Sequence, residues 1–246
     1  MRDAPIRIAM WSGPRNISTA MMRSFGARPD TAVVDEPFYA AYLERTGLEH
    51  PMRAEVLASQ PTDPRVVVAA LLGPVPDARS VFYQKHMTHH MLADFDRGWI
   101  ARVRNAFLIR EPCAVLASYV QKRSEVTLAD IGVVQQHELF DREADRLGKP
   151  PPVIESEDVL RNPAAILARL CEALGIGYTD AMLQWPAGRR ATDGVWAPAW
   201  YAAVEQSTGF GAPRERINVP LPAELESLAA AAQSHYDALA KHRLRE

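Results

Sequence analysis

Four short stretches hold side chains whose types and spacing suit chemistry on an anion. Residues 6–25 read IRIAMWSGPRNISTAMMRSF: an apolar run, a turn, then a helical pattern opening at Ser18 and Thr19. That order cradles an anion, because backbone N–H groups of the turn and of the helix start point at the ligand and the helix dipole adds positive potential. The cradle would comprise Ser12, Gly13, Pro14, Arg15, Asn16, Ile17, Ser18 and Thr19. Arg15 adds a full charge, and the two hydroxyls at the helix start add donors. The ATP-type pattern G-x-x-x-x-G-K-[ST] is not met, since Gly13 stands alone and the lysine is missing. An ordinary strand-to-helix turn with a capping serine would share much of this pattern.

Residues 105–119 read NAFLIREPCAVLASY. Arg110 ends an apolar run, and Ser118 lies in a helix that Pro112 opens. About six helical residues rise roughly 9 Å, so a long arginine and the serine can reach one phosphate; an ion pair of Arg110 with Glu111 is the alternative. TAVVDEPF ends another apolar run in Asp35 and Glu36. An aspartate there suits a Mg²⁺ ligand of a kinase or nucleotide-hydrolysing site; a helix cap or an arginine pair would also account for it. In SVFYQKHMTHHMLAD, Lys85 ends a third run and histidines follow. If the segment after Lys85 were helical, His86, His90 and Asp94 would share a face, as metal ligands do. No fourth ligand or zinc signature accompanies them, and no metal is expected. Late in the chain, WPAGRRATDGVWAPAW brings Arg189 and Arg190 close to Gly194 and Trp196.

These side chains need a scaffold that brings the ends of several apolar runs together. Ile6–Trp11, Thr31–Asp35, Ser80–Lys85, Asn105–Arg110 and Pro152–Glu155 have the form of buried strands. Helical patterns over Ser18–Phe25, Pro112–Arg123 and Asp158–Leu174 alternate with them, which implies βαβ units and a parallel sheet. Val66–Leu72 is ambiguous between helix and strand, and Pro222–Leu244 has the pattern of a surface helix. The expected fold is three-layer α/β/α with a central parallel sheet of about five strands. Residues 37–64, 124–150 and 186–220 interrupt the rhythm. Inserts of this kind sit over the carboxyl ends of strands, where ligands bind, so they are expected as acceptor-facing parts of a single domain spanning 1–246.

Bulk properties set limits. The net charge of −2 over 246 residues lacks the basic excess of a general nucleic-acid or membrane-surface binder. Two isolated cysteines, Cys113 and Cys171, suit a reducing compartment. No secretory signal and no run of about 18 apolar residues is visible. The expected location is cytoplasmic, with neither a nucleic acid nor a membrane as partner.

In strand order, basic Pro-Arg turn and Ser/Thr pair, the first loop resembles the 5′-phosphosulfate loop of sulfotransferases that use 3′-phosphoadenosine-5′-phosphosulfate (PAPS), which have a P-loop-NTPase-like fold. Arg110 and Ser118 resemble that family's strand-end arginine and the serine eight residues on. The resemblance runs from residue 6 to about residue 200, and residues 153–175 are similar to the family's fifth strand and following helix. It implies PAPS as co-substrate without a metal, and a small-molecule acceptor bearing a hydroxyl or amine. Arg110 and Ser118 would hold the 3′-phosphate, and Arg190, in a loose match to the family's late loop, would join them. Glu36 would be the general base, with His86 competing for that role, while Lys85 and Arg15 would offset charge on the transferring group. Two other classes remain open at this level: a nucleotide or small-molecule kinase using Mg-ATP, and a non-catalytic nucleotide-binding module.

Overall fold

A computed structural model describes residues 4–120, 126–213 and 221–246. Five parallel strands form one sheet: β1 (Ile6–Ser12), β2 (Thr31–Asp35), β3 (Val81–Met87), β4 (Arg104–Ile109) and β5 (Val153–Glu155), in the order β2-β3-β1-β4-β5. The central strand β1 pairs with both β3 and β4. A strand covered on both faces must be apolar throughout, and Ile8, Ala9, Met10 and Trp11 are wholly buried.

Alternate residues of β1 feed two cores. Ile8 and Met10 join Met21, Met22 and Phe25 of α1 (Ser18–Gly26) and Ile166, Leu167 and Leu170 from the far side of β5. Ala9 and Trp11 face the other core, where α4 (Pro64–Leu72) contributes Val67 and Leu71 and α7 (Val133–Leu147) contributes Leu139 and Phe140. Between these elements lie α2 (Tyr39–Thr46), α3 (Arg53–Ser59), α5 (Pro112–Tyr119) and α6 (Leu128–Ile131). The layers are therefore α/β/α, as expected. The Val66–Leu72 ambiguity resolves as helix, because Asp63 caps α4 by accepting from Arg65 N and Pro64 fills its first position.

Three expectations change. The helix expected over Asp158–Leu174 is two, α8 (Ser156–Arg161) and α9 (Pro163–Ala173). Pro163 drives the preceding residue out of helical geometry, and Asn162 (φ −143°) caps α9 through Ala165 N. Of the stretch 124–150, the described part forms α6 and α7, and α7 covers the sheet instead of facing an acceptor. Gln136 of α7 donates to the carbonyls of Trp11 and Leu108, and Asn105 joins Trp11 Nε1 to Glu143. The late helix, α12, spans Ala223–Ala240; beyond it Leu244 N donates to Val153 O at the β5 edge. Residues 186–213 hold two short helices, α10 (Ala197–Trp200) and α11 (Ala202–Glu205). Residues 124–125 and 214–220 of the expected inserts, and the end of the Pro112–Arg123 helix, lie outside the described residues. Among the described residues no helix is long and apolar enough to cross a membrane.

Candidate active site

From β1 the chain crosses to β2 on one side of the sheet, and from β3 it crosses to β4 on the other. The carboxyl end of β1 is thus the point where the strand order reverses, the place open α/β sheets reserve for ligands. A cavity of about 420 Å³ opens there, lined by Pro14–Thr19 of the first loop, Glu36, Lys85, Arg110, Ser118 and residues of α10 and α11. Ser12, expected in the cradle, is instead buried with its hydroxyl against Met87 Sδ, and Gly13 does not line the cavity.

The first loop is a pinned and strained turn. Gly13 passes so close to α6 that an added Cβ would sit 2.5 Å from Ile131 O. Asn16 reaches across β4 and donates to Leu108 O at 2.7 Å. Arg15 (φ 57°) and Ile17 (φ 27°) adopt left-handed backbone conformations that non-glycine residues hold only when their surroundings enforce them. No side chain caps α1, so its first-turn amides remain for a ligand. Arg15 Nε donates to Ser118 Oγ at 2.9 Å, and Arg110 Nη1 donates to the Arg15 carbonyl. Two sequence-distant stretches are therefore hydrogen-bonded to each other at one cavity mouth. Glu111 caps α5 through Ala114 N at 3.0 Å.

The opposite wall is a buried ionic cluster. Lys85 is opposite Asp35 in the β2–β3 register and is only 1% exposed. Its Nζ donates to Asp35 Oδ1 at 2.9 Å, Glu36 Oε1 at 2.7 Å and Tyr201 OH at 2.6 Å. Tyr201 OH donates to Asp35 Oδ2 at 2.7 Å and accepts from Trp196 Nε1 at 3.1 Å, while Gly194 N also donates to Asp35 Oδ2. Asp35 thus has both oxygens engaged by protein donors, which does not suit the Mg²⁺-ligand role considered from sequence. Burial pushes the Glu36 carboxyl up, against the pull of Lys85 and with the push of Asp35. Burial alone would lower Lys85, yet Asp35 and Glu36 hold it well above its ordinary value. Glu36 has φ 40°, and its backbone is fixed by Lys85 O, Tyr39 N and Gln60 Nε2.

Two of the expected site residues are elsewhere. His86 follows Lys85 in an extended strand, so it projects to the opposite face. There it stacks on Trp11 at 4.5 Å and contacts Gln84 Oε1, and burial lowers its pKa to about 3. It does not line the cavity, which removes the ground for treating it as the base. Arg190 lies beyond the far end of α1, beside Gly26 and Arg23, and does not reach the cavity with Arg110 and Ser118. The His86–His90–Asp94 face does not form either. β3 runs on to Met87, and Asp94 pairs with Arg45 at 2.6 Å.

Sequence reasoning missed the aromatic part of the wall. Tyr201, one residue past the WPAGRRATDGVWAPAW stretch, completes the ionic cluster together with Trp196, which that stretch does contain. His90 is sandwiched by Tyr39 (4.6 Å) and Tyr42 (4.8 Å), with Nδ1 4.0 Å from Glu36 Oε2. Burial, with a further push from His89, His50 and Lys85, keeps His90 well below its ordinary pKa.

The strand order and the site at its reversal point define a P-loop-NTPase-like α/β/α protein. The chain belongs to the sulfotransferase-domain family, whose model, described as "Sulfotransferase domain", matches residues 6–243. Branched-chain-amino-acid aminotransferase-like protein 1 of Arabidopsis thaliana is 36% identical over 212 residues, covering 86% of this chain. That stretch is 38% of the plant protein, so the chain spans under two fifths of the curated relatives it matches. The sulfotransferase domain from the Synechococcus PCC 7002 olefin synthase superimposes with a TM-score of 0.60 at 17% identity, covering 96% of each chain. Mouse sulfotransferase SULT7A1 complexed with PAP superimposes with a TM-score of 0.54 at 11% identity, covering 96% of this chain and 89% of that one. At those identities the two structures speak for the fold alone.

Proposed function

We propose that this chain moves a sulfuryl group from PAPS to a hydroxyl or amine of a small molecule. The observation that carries the reading is the hydrogen-bonded meeting of Arg15, Ser118 and Arg110 at the mouth of the cavity that Glu36 and Lys85 also line. The residues present fit the nucleotide. The uncapped first turn of α1 and the strained Gly13–Ile17 turn offer backbone donors to a 5′-phosphosulfate, and Arg110 with Ser118 offers a cation and a hydroxyl to a 3′-phosphate. When bound, PAPS supplies the activated sulfuryl group.

Glu36 takes the acceptor's proton on its Oε2, the oxygen turned toward His90, since Oε1 is committed to Lys85. A carboxyl raised by burial is a stronger base than a solvated one, and its proximity to a fixed acceptor converts the proton transfer into an intramolecular step. Lys85 holds Glu36 in place and sets positive charge behind it. Arg15 offsets negative charge as the leaving oxygen develops it. Tyr201 orients Lys85 and Asp35 from below. Asp35, being fully engaged, does not favour the kinase reading.

The test is differential binding. 3′-Phosphoadenosine-5′-phosphate at ~100 times its Kd should stabilise the protein by about 2.7 kcal/mol, with ADP and Mg-ATP giving less, and Arg110→Ala should erase the gain. Equal stabilisation by ADP would refute the 3′-phosphate assignment. Glu36→Gln should lower turnover roughly 10²–10⁴-fold while leaving nucleotide binding intact; unchanged turnover removes Glu36 from the chemistry.

A further inference from the structure

A second cavity, of about 270 Å³, opens at the far end of α1, between that helix, β2, residues 76–79 and the turn at residues 190–192. Arg23, Arg79 and Arg190 line it, together with one carboxylate, Asp77. Arg23 is 1% exposed, yet its Nε and Nη1 have no hydrogen-bond partner, and neither has Nη2 of Arg190. The last carbonyls of α1 do not serve them, because the oxygens of Arg23, Ser24 and Phe25 accept from the amides of Ala27 and Arg28. Asp193, whose side chain is fully buried but outside the cavity wall, meets Arg23 through one oxygen, Oδ2 to Nη2 at 2.6 Å; its Oδ1 is also unpartnered. Asp193 therefore engages one arm of the Arg23 fork and also accepts from Arg190 N at 2.8 Å, while Nε and Nη1 of Arg23 remain. Arg190 is lowered from its ordinary pKa by burial and by the charge of Arg23, with Asp193 opposing. Arg79, on the open side, donates to Pro29 O.

We propose that this second cavity binds a small oxyanion, phosphate or sulfate, free or at the end of a larger molecule, between Arg23 and Arg190. Unpartnered N–H groups on two guanidinium forks that line one cavity suit the several acceptor oxygens of an oxyanion, and each such bond would be charge-assisted on both sides. Buried N–H groups without hydrogen-bond partners are costly, and an anion at this point would offer acceptors to those of both arginines. The site is separate from the nucleotide site proposed above and stands without it. It is also wired to the ionic cluster, since the residue after Asp193, Gly194, donates its N–H to Asp35 at 3.1 Å.

The experiment follows arginine Nε–Hε resonances by NMR while inorganic phosphate, inorganic sulfate or phosphoserine is added at constant ionic strength, with chloride as control. Saturable shifts of the Arg23 and Arg190 signals are expected with phosphate or sulfate. Arg190→Gln should weaken the Arg23 response at least ten-fold, Arg190→Lys should restore part of it, and Arg110→Ala should leave it unchanged. Saturation by phosphoserine as well assigns the site to an esterified group; saturation by the free ions alone assigns it to them. A response no different from that of chloride overturns the proposal. So does one that survives Arg190→Gln and vanishes in Arg110→Ala, which would place the anion in the first cavity.

Discussion

Lys85→Met should be among the most damaging single changes to stability. Its Nζ satisfies two buried carboxylates and one buried hydroxyl, and methionine fills similar volume without the charge. Removing one partner of a buried ion pair costs about 3–5 kcal/mol, and at about 2–4 °C per kcal/mol for a chain of this size the melting temperature should fall by roughly 6–20 °C. The assay is a double-mutant cycle with Glu36→Gln, read by urea unfolding at pH 7. Glu36 is already raised by burial, so neutralising it removes an expensive charge along with a favourable pair. The double variant should be less destabilised than the sum of the singles by more than about 1 kcal/mol, well outside the 0.3–0.5 kcal/mol scatter of independent sites. The pH dependence gives a second check. Without Lys85 the Glu36 carboxyl rises further, so the folded state holds its proton more tightly than the unfolded state does. That stabilisation is present below the ordinary value of 4.5 and is lost as pH rises through the folded value. The deficit of Lys85→Met should therefore grow from pH 5 to pH 8. Additive singles, or a deficit that shrinks over that range, would refute the cluster.

Gly13→Ala should destabilise by about 1–3 kcal/mol, because the new Cβ meets a backbone oxygen, Ile131 O, that cannot step aside; thermal unfolding reads it. Asn105→Ala orphans Trp11 Nε1 in the core, while Glu143 Oε2 keeps its bonds from Arg146, and should cost about 1–3 kcal/mol for the group left unsatisfied, measured by urea unfolding with site occupancy unaffected. Glu155, whose carboxyl is raised to about 7 by burial and by Asp158 and Glu157, stabilises the fold below pH 4.5 and loses that contribution as pH rises toward 7. Glu155→Gln should thus gain stability relative to the parent chain as pH rises from 5 to 8, and a gain that declines over that range would contradict the raised value.

The parallel sheet was legible because its strands are buried on both faces and have the composition of unbroken apolar runs, and the layers followed from the helices between them. Arg15 and Arg110 were legible at one sheet edge because each lies just past a strand's carboxyl end and a parallel sheet gathers those ends, and Ser118 because the rise of α5 keeps it within reach of a long arginine. His86 misled for the complementary reason: one residue along an extended strand reverses the face, and the sequence does not say where β3 stops. Arg190 misled because the path of an irregular loop depends on packing; it is Gly194, Trp196 and Tyr201 of the same loop that reach the site. The Asn162–Pro163 break, by contrast, is legible in the sequence, since proline drives the residue before it out of helical geometry. The 124–150 stretch failed as an acceptor wall because its α7 pattern of Leu139 and Phe140 is that of a sheet-covering helix.

The backbone explains why the cluster is where it is. Three non-glycine residues with positive φ, Arg15, Ile17 and Glu36, all line the one cavity, and two of them, Arg15 and Glu36, have their backbones held by bonds from distant elements. The Arg15 carbonyl is clasped by Arg110, and Glu36 is held by Lys85 O and Gln60. Such conformations cost about 1–3 kcal/mol each, and at Arg15 and Glu36 sequence-distant groups enforce them. The same bonds that hold the strain also set the distances between Arg15 and Ser118 and between Glu36 and Lys85. The site is therefore built by long-range closure, and a sequence shows its members while withholding the turns that aim them.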